Sequence, residues 1–263
     1  MKTIAILGCG NLGLSIVEGL LDNTNQEQYR IVATRRSVTA IKHLAKRGVI
    51  VTSDNVYAVK EADVIIVAVK PYNVDGILRE IAECLDPSRH TVVSLATGVA
   101  IASIYKQVQD TIPVFRAMPN TATLVKESFT CICYNDASEE QVQTVSSLFE
   151  SVGRTMIIRE DLMEAATILG ACGIAYALRF VRAMTQGGIQ IGFSAEVAAL
   201  IASQTVKGAA ELLLTGDTHP EREIDKVTTP KGCTIVGLNE MEHAGFSSAL
   251  IKGIVTSFDM IVD

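Results

Sequence analysis

The chain opens Met1-Lys2-Thr3-Ile4-Ala5-Ile6-Leu7-Gly8-Cys9-Gly10-Asn11-Leu12-Gly13, and the rest of its architecture can be read outward from there. Thr3–Leu7 is a short apolar run of strand type, after which Leu12, Ile16, Val17 and Leu20 recur at helical spacing. Between them, Gly8-Cys9-Gly10-Asn11-Leu12-Gly13 fits G-x-G-x-x-G. The first glycine permits the tight turn, the second lets the backbone approach a pyrophosphate, and the third allows close helix–strand packing. The helix N-terminus then meets the negative charge with free N–H groups. A glycine turn with only a structural task is the plain alternative. The position between strand and helix favours a dinucleotide.

An NAD site usually carries Asp or Glu at the end of the second strand, to hold the ribose hydroxyls. Here that place reads Ala33-Thr34-Arg35-Arg36-Ser37. Two guanidiniums match a 2′-phosphate through paired donors, so NADP(H) is expected over NAD(H), with Thr34, Arg35 and Arg36 as contacts. A solvated loop with two arginines is the alternative. By the switch-point rule, further contacts belong at the carboxyl ends of other strands. Ala68-Val69-Lys70-Pro71 and Ala96-Thr97 qualify, and Asn55 is placed to reach the adenosine side. Lys70 reads equally as a solvated strand-end lysine.

Further along, strand-like runs at Ile31–Ala33, Val49–Val51, Val64–Val69, Thr91–Leu95, Pro113–Ala117, Phe129–Cys133 and Met156–Ile158 alternate with helical patterns. Strand, helix, strand in repetition predicts right-handed crossovers and an α/β doubly wound sheet over residues 1–160. Beyond Glu160 no convincing strand occurs, so 161–263 is expected to be all-helical. Asp161–Gln186 and Ala195–Leu214 are its longest helices, separated at Gly187-Gly188 and Gly192, with Ser194 as N-cap of the second. That second helix is apolar or small nearly all round, from Val197 to Leu213, which calls for cover on every side. A domain of about 100 residues offers little such cover. A partner subunit is therefore expected.

Of 263 residues, 48% are apolar and 20% charged, with a formal net charge of −6. That balance excludes disorder and argues against an extended phosphate-backbone footprint, so no nucleic-acid partner is expected. No apolar run approaches the ~18 residues that span a bilayer, and the apolar start is too short for a signal core. The expectation is a cytoplasmic chain with no membrane role. The six cysteines form no Cys-x-x-Cys pair and have no histidine at metal spacing, so free thiols and no metal are expected. His43, His90, His219 and His243 stand in separate segments and read as surface or packing residues.

Val67-Ala68-Val69-Lys70-Pro71, Arg116-Ala117-Met118-Pro119-Asn120-Thr121 and Asp225-Lys226-Val227-Thr228-Thr229-Pro230-Lys231-Gly232-Cys233-Thr234-Ile235-Val236-Gly237-Leu238 occur in that order. With the glycine loop, and with Gly245-Phe246 near the end, the chain resembles pyrroline-5-carboxylate reductase along its whole length. The resemblance implies an N-terminal Rossmann domain, a helical C-terminal dimerisation domain giving a homodimer or larger assembly, and hydride transfer from NAD(P)H to a cyclic imino acid. It puts Met118, Pro119 and Asn120 on the nicotinamide side, where a plain strand-ending turn is the alternative. It assigns the substrate to Thr229, Gly232, Cys233 and Thr234. A loop of small residues entering a helix offers N–H donors to a carboxylate, though an ordinary helix start has the same look. The Thr234 hydroxyl, able to donate and accept, is the candidate catalytic contact to the imine nitrogen.

The chain departs from the family pattern at two places. The usual Ser-Gly-Ser-Gly-Pro-Ala-Tyr reads Gly170-Ala171-Cys172-Gly173-Ile174-Ala175-Tyr176, and the usual Ser-Pro-Gly-Gly-Thr-Thr reads Thr229-Pro230-Lys231-Gly232-Cys233-Thr234. Both lie where the family places its substrate. They leave open a non-catalytic, NADP-binding regulatory or inactivated relative. A β-hydroxyacid dehydrogenase would carry a catalytic lysine on the first long helix after the nucleotide domain, and 161–190 contains no lysine.

Overall fold

The computed structural model describes residues 1–22 and 29–262. Its elements run β1 (Lys2–Leu7), α1 (Asn11–Leu21), β2 (Tyr29–Thr34), β3 (Ile50–Thr52), α2 (Asn55–Glu61), β4 (Val64–Val67), α3 (Pro71–Ile81), β5 (Thr91–Ser94), α4 (Ile101–Ile104), β6 (Val114–Met118), β7 (Ser128–Asn135), α5 (Glu139–Glu150) and β8 (Gly153–Ile157). Helices α6 (Met163–Ala166), α7 (Gly173–Gln190), α8 (Ala195–Thr215), α9 (Pro220–Lys226), α10 (Cys233–His243) and α11 (Phe246–Val262) follow. Contacts divide the chain into two compact units, Met1–Ile174 with Met260–Asp263, and Ala175–Asp259. The change of sequence texture falls at residue 160, and the contact division falls fourteen residues later, after Ile174. Asp263 lies outside the described residues.

The first unit holds one eight-stranded sheet, ordered β3-β2-β1-β4-β5-β6-β7-β8. The five pairings from β3 to β6 are parallel. β7 then runs antiparallel to β6, with Arg116 opposite Cys133, and β8 runs parallel to β7. The doubly wound part thus carries a reversed two-stranded edge that the crossover pattern alone does not foretell. The core lies on both faces of the sheet. Ile4, Ile6, Val64 and Ile66 point into one layer with Ile16, Leu20 and Phe149. Ala5, Leu7, Ile65 and Val67 point into the other with Val74, Leu78 and Ile81. A strand buried on both faces needs apolar residues at every position, which is why these runs lack the usual alternation.

Several local expectations are corrected. The helical pattern of Val38–Arg47 winds as a 3₁₀-helix, its end at Gly48 in the left-handed region. The Gly187-Gly188 pair does not break its helix. α7 continues to Gln190, and Gly192, at φ +115°, makes the turn instead. The stretch from 160 onward is interrupted rather than one helix: a 3₁₀ turn at Glu160–Leu162, the single turn of α6, and a π-helical turn at Thr167–Cys172 precede α7. Ser194 does cap α8, its hydroxyl accepting from the Val197 N–H at 3.4 Å.

The second unit is helical. Within this chain only Ala198 and Ala202 of α8 are buried, while Leu200, Ile201 and Leu212 stand exposed. By length and composition, the helical stretches Glu160–Gln190 and Ala195–Thr215 are long and apolar enough to cross a membrane, with a mean hydropathy of 1.4 each. That differs from the expectation drawn from unbroken apolar runs, because scattered polar and charged residues are averaged out across an 18-residue window.

Helix α1 packs tightly on the turn Thr121–Val125. A Cβ added at Gly19 would overlap the Thr123 carbonyl oxygen and crowd Val152. Gly→Ala inside a helix ordinarily gains about 1 kcal/mol, but overpacking costs about 1–3 kcal/mol. With backbone as the obstacle the second term wins. Gly19→Ala is expected to lower stability by ~1–2 kcal/mol in urea unfolding, and an unchanged or raised midpoint would contradict this packing.

Candidate functional site

β1 delivers the chain into the glycine loop at the carboxyl edge of the sheet. Gly8, at φ +91°, turns there. The Gly8 and Cys9 amides both donate to the Thr34 carbonyl oxygen, at 3.2 and 2.8 Å. The Gly8 amide also reaches the Thr34 hydroxyl at 3.2 Å, and that hydroxyl donates to Asn55 Oδ1 at 2.7 Å. Thr34 is buried, so its side chain fixes the loop. Arg35 bends back over the same loop, its Nη1 donating to the Cys9 carbonyl at 3.1 Å, while Arg36 lies exposed.

The loop leaves its outer face to a ligand. No side chain caps α1, and its first ladder bond runs from the Leu14 N–H to the Gly10 carbonyl at 2.9 Å. The Asn11, Leu12 and Gly13 amides therefore lie outside the helical ladder. A Cβ at Gly10 would meet nothing within 4 Å, whereas one at Gly8 would overlap Val69 and one at Gly13 would stand 2.9 Å from the Gly8 carbonyl. Open space over the middle glycine, N–H groups facing it and a guanidinium beside it suit a dinucleotide pyrophosphate.

The remaining contacts expected at the strand exits lie on the same edge, since β1, β2, β4, β5 and β6 are parallel. Ala68 and Val69 pack directly on the glycine loop. Lys70 is exposed as the N-cap of α3, with Pro71 at its first position. Ala96 is buried and Thr97 half-buried after β5. Met118 ends β6 and Pro119 and Asn120 follow it, all three buried. Asn120 caps the following turn, its Oδ1 accepting from the Ala122 N–H at 2.9 Å.

Sequence reasoning missed the fastening of the segment 160–172. Arg116 on β6 is 2% exposed, and its guanidinium donates to Glu160 Oε1 at 3.1 Å and Glu164 Oε1 at 2.7 Å. Desolvation works against this cation, but the bonds and charges of Glu164 and Glu160 prevail and hold it above its ordinary range. Glu160 also accepts from the Ile101 N–H at 2.7 Å. Farther on, Asn120 Nδ2 donates to the Gly170 carbonyl at 3.1 Å. The legible signal was an arginine inside an apolar strand, together with two carboxylates four residues apart.

Thr229, Gly232, Cys233 and Thr234 belong to the second unit. Gly232 is the N-cap of α10, without a side-chain cap, and its own N–H donates to the Thr229 carbonyl at 2.9 Å. A Cβ there would stand 2.6 Å from the Thr229 hydroxyl. Thr234 occupies the first turn of α10, half-buried, with Thr229 exposed. Lys231 adopts φ +61°, a left-handed conformation rare for a residue with a side chain.

The sheet, whose strand order reverses between the parallel strands β1 and β4, and the glycine loop define a dinucleotide-binding protein of the doubly wound class. Two family models match in agreement with this: NADP oxidoreductase, coenzyme F420-dependent, over residues 3–98, and pyrroline-5-carboxylate reductase dimerisation over residues 160–261. Pyrroline-5-carboxylate reductase 1 of Dictyostelium discoideum is 43% identical over 97% of this chain, which spans 48% of that protein. Pyrroline-5-carboxylate reductase 2 of the same organism is 41% identical, with 97% of this chain and 91% of that protein covered. A crystal structure of pyrroline carboxylate reductase from Plasmodium falciparum with NADP bound shares the fold at a TM-score of 0.87, at 24% identity, covering 99% of this chain and 97% of that one. The chain belongs to the pyrroline-5-carboxylate reductase family. It spans about half the length of one curated relative and nearly all of the other.

The six cysteines are free thiols. Burial pushes the Cys9 thiol up to about 12, against a smaller opposing effect of Arg35. At pH 8 only ~1 in 10⁴ of it would be the reactive thiolate. Iodoacetamide on the native protein should therefore modify the exposed Cys233 well before Cys9, as read by peptide mass spectrometry. Equal rates at the two would contradict the burial of the glycine loop.

Proposed function

We propose that the protein reduces the cyclic imine 1-pyrroline-5-carboxylate to proline, with NADPH as the preferred donor. The observation that carries this is the glycine loop with its outward amides and Arg35 beside it, in a chain of this family. When bound, the reduced nicotinamide would supply a hydride to the imine carbon, with a proton going to the nitrogen. The chain's tasks are to position and polarise. The Asn11, Leu12 and Gly13 amides hold the pyrophosphate, and Arg35 with Arg36 takes the 2′-phosphate. Cys233 and Thr234 present amides to the substrate carboxylate, while the Gly232 amide, expected there too, is spent on the Thr229 carbonyl and shapes the loop. The Thr234 hydroxyl orients the imine nitrogen and passes on a solvent proton. The working unit is a homodimer or a larger homo-oligomer. The exposed apolar side chains of α8 and the dimerisation family model over 160–261 support that. A cytoplasmic, reducing setting suits the free thiols.

The direct test follows loss of NADPH on adding pyrroline-5-carboxylate to the purified chain. NADPH should give the higher kcat/KM, and Arg35→Ala with Arg36→Ala should remove most of that preference, a loss of about 1–3 kcal/mol. Equal efficiency with both cofactors in the unaltered protein would sink the assignment of the arginines.

Thr234→Ala should lower kcat/KM for the imine about 10–1000-fold, the scale of a lost positioned donor. NADPH affinity should hold, and Thr234→Ser should recover much of the rate. A helix-start role alone predicts a stability loss of about 0.5–2 kcal/mol with kinetics little changed. Tm and kcat/KM on the same two variants separate these outcomes.

A further inference from the structure

We infer that Asn120 is a positioning residue for this reduction, acting through the π-helical turn Thr167–Cys172; the inference rests on the functional reading above. Its side chain works between two pieces of protein. The Oδ1 atom caps the turn at Ala122, Nδ2 holds the Gly170 carbonyl, and the backbone N–H donates to the Ser128 hydroxyl at 3.0 Å. At 9% exposure it presents little surface to a ligand.

The π-helical turn needs such a hold. Such turns are rare and recur at functional sites. Gly170 within it and Gly173 just after it contribute no side chain to packing. Thr167 anchors the beginning, donating to the Met163 carbonyl at 2.8 Å, and the Arg116–Glu164 pair at 2.7 Å fastens the turn before it. Asn120 is the matching fastener at Gly170. The resemblance places the substrate beside this segment.

The same turn is also referred to the cofactor loop. The Thr123 hydroxyl donates to Ser15 Oγ at 2.9 Å, and Ser15 donates to the Leu12 carbonyl at 2.8 Å. One short turn, 120–123, thus fixes both the first turn of α1 and residue 170. Hydride transfer is steep in donor–acceptor geometry, and a misplacement of about 1 Å costs about a hundredfold in rate.

The test uses Asn120→Asp, which keeps the cap on Ala122 and sets a carboxylate oxygen against the Gly170 carbonyl, with Asn120→Ala as a second variant. Three quantities are measured on the full-length protein: kcat at saturating imine and NADPH, Kd for NADPH by fluorescence, and hydrogen exchange of residues 167–174. We expect kcat to fall about 10–100-fold, Kd to stay within about twofold, and exchange of the segment to quicken. A Kd weakened as much as kcat falls would make Asn120 a cofactor ligand and overturn the inference. Unchanged kcat with unchanged exchange would overturn it as well. If the unaltered protein shows no turnover, the functional reading fails, and the exchange measurement still decides the clasp: quickened exchange supports it and unchanged exchange rejects it.

Discussion

Two backbone amides, those of Gly8 and Cys9, share the carbonyl oxygen of Thr34, and the rest of the nucleotide-binding edge follows from that junction. It pulls the glycine loop sideways toward β2, so the loop cannot run straight into α1 and must turn at positive φ. Turning there brings Gly8 so close to Val69 that a side chain at position 8 has no room. Thr34 in turn is held by Asn55, whose Nδ2 donates to Glu80 Oε2 at 3.0 Å. A bare peptide edge is thus shaped by a buried hydroxyl and an amide. The amides left over face outward, where unmet N–H groups near a helix start are worth most to an anion.

What the sequence shows and hides follows from where the forces act. Strands buried on both faces announce themselves as unbroken apolar runs, so β1, β4 and β5 are legible with small errors at their ends. The glycine loop is legible because its three glycines answer separate steric demands. The 3₁₀ winding of Val38–Arg47 is not, since apolar residues three apart serve either helix type. Gly187-Gly188 misleads for a related reason. Glycine weakens a helix by about 1 kcal/mol each, which the rest of α7 outweighs, and Gly188 sits against Ala198 where a larger residue would crowd it.

The fastening of 160–172 to the sheet depends on pairs far apart in the chain. Arg116 meets Glu164 across 48 residues, and Asn120 meets Gly170 across 50. No periodicity encodes such distances. An arginine within an apolar strand signals that a carboxylate partner exists, because an unpaired buried charge costs several kcal/mol, but it does not say which one. The roles of Thr229 and Thr234 came from the family resemblance and not from a physical signal in the chain.

The left-handed backbone at Lys231 explains why the family pattern has glycine there and sets a cost on the lysine. A side chain in that conformation costs about 1–2 kcal/mol in the folded state. Glycine would remove that penalty but would leave the unfolded chain freer, at a cost of about 0.5–1 kcal/mol. The second effect offsets only part of the first, leaving lysine up to about 1.5 kcal/mol less stable than glycine there. Position 231 therefore tolerates lysine at a modest net cost. Its neighbour Gly232 is walled in by Thr229 and has no such freedom. The lysine at 231 adds a positive charge beside the start of α10.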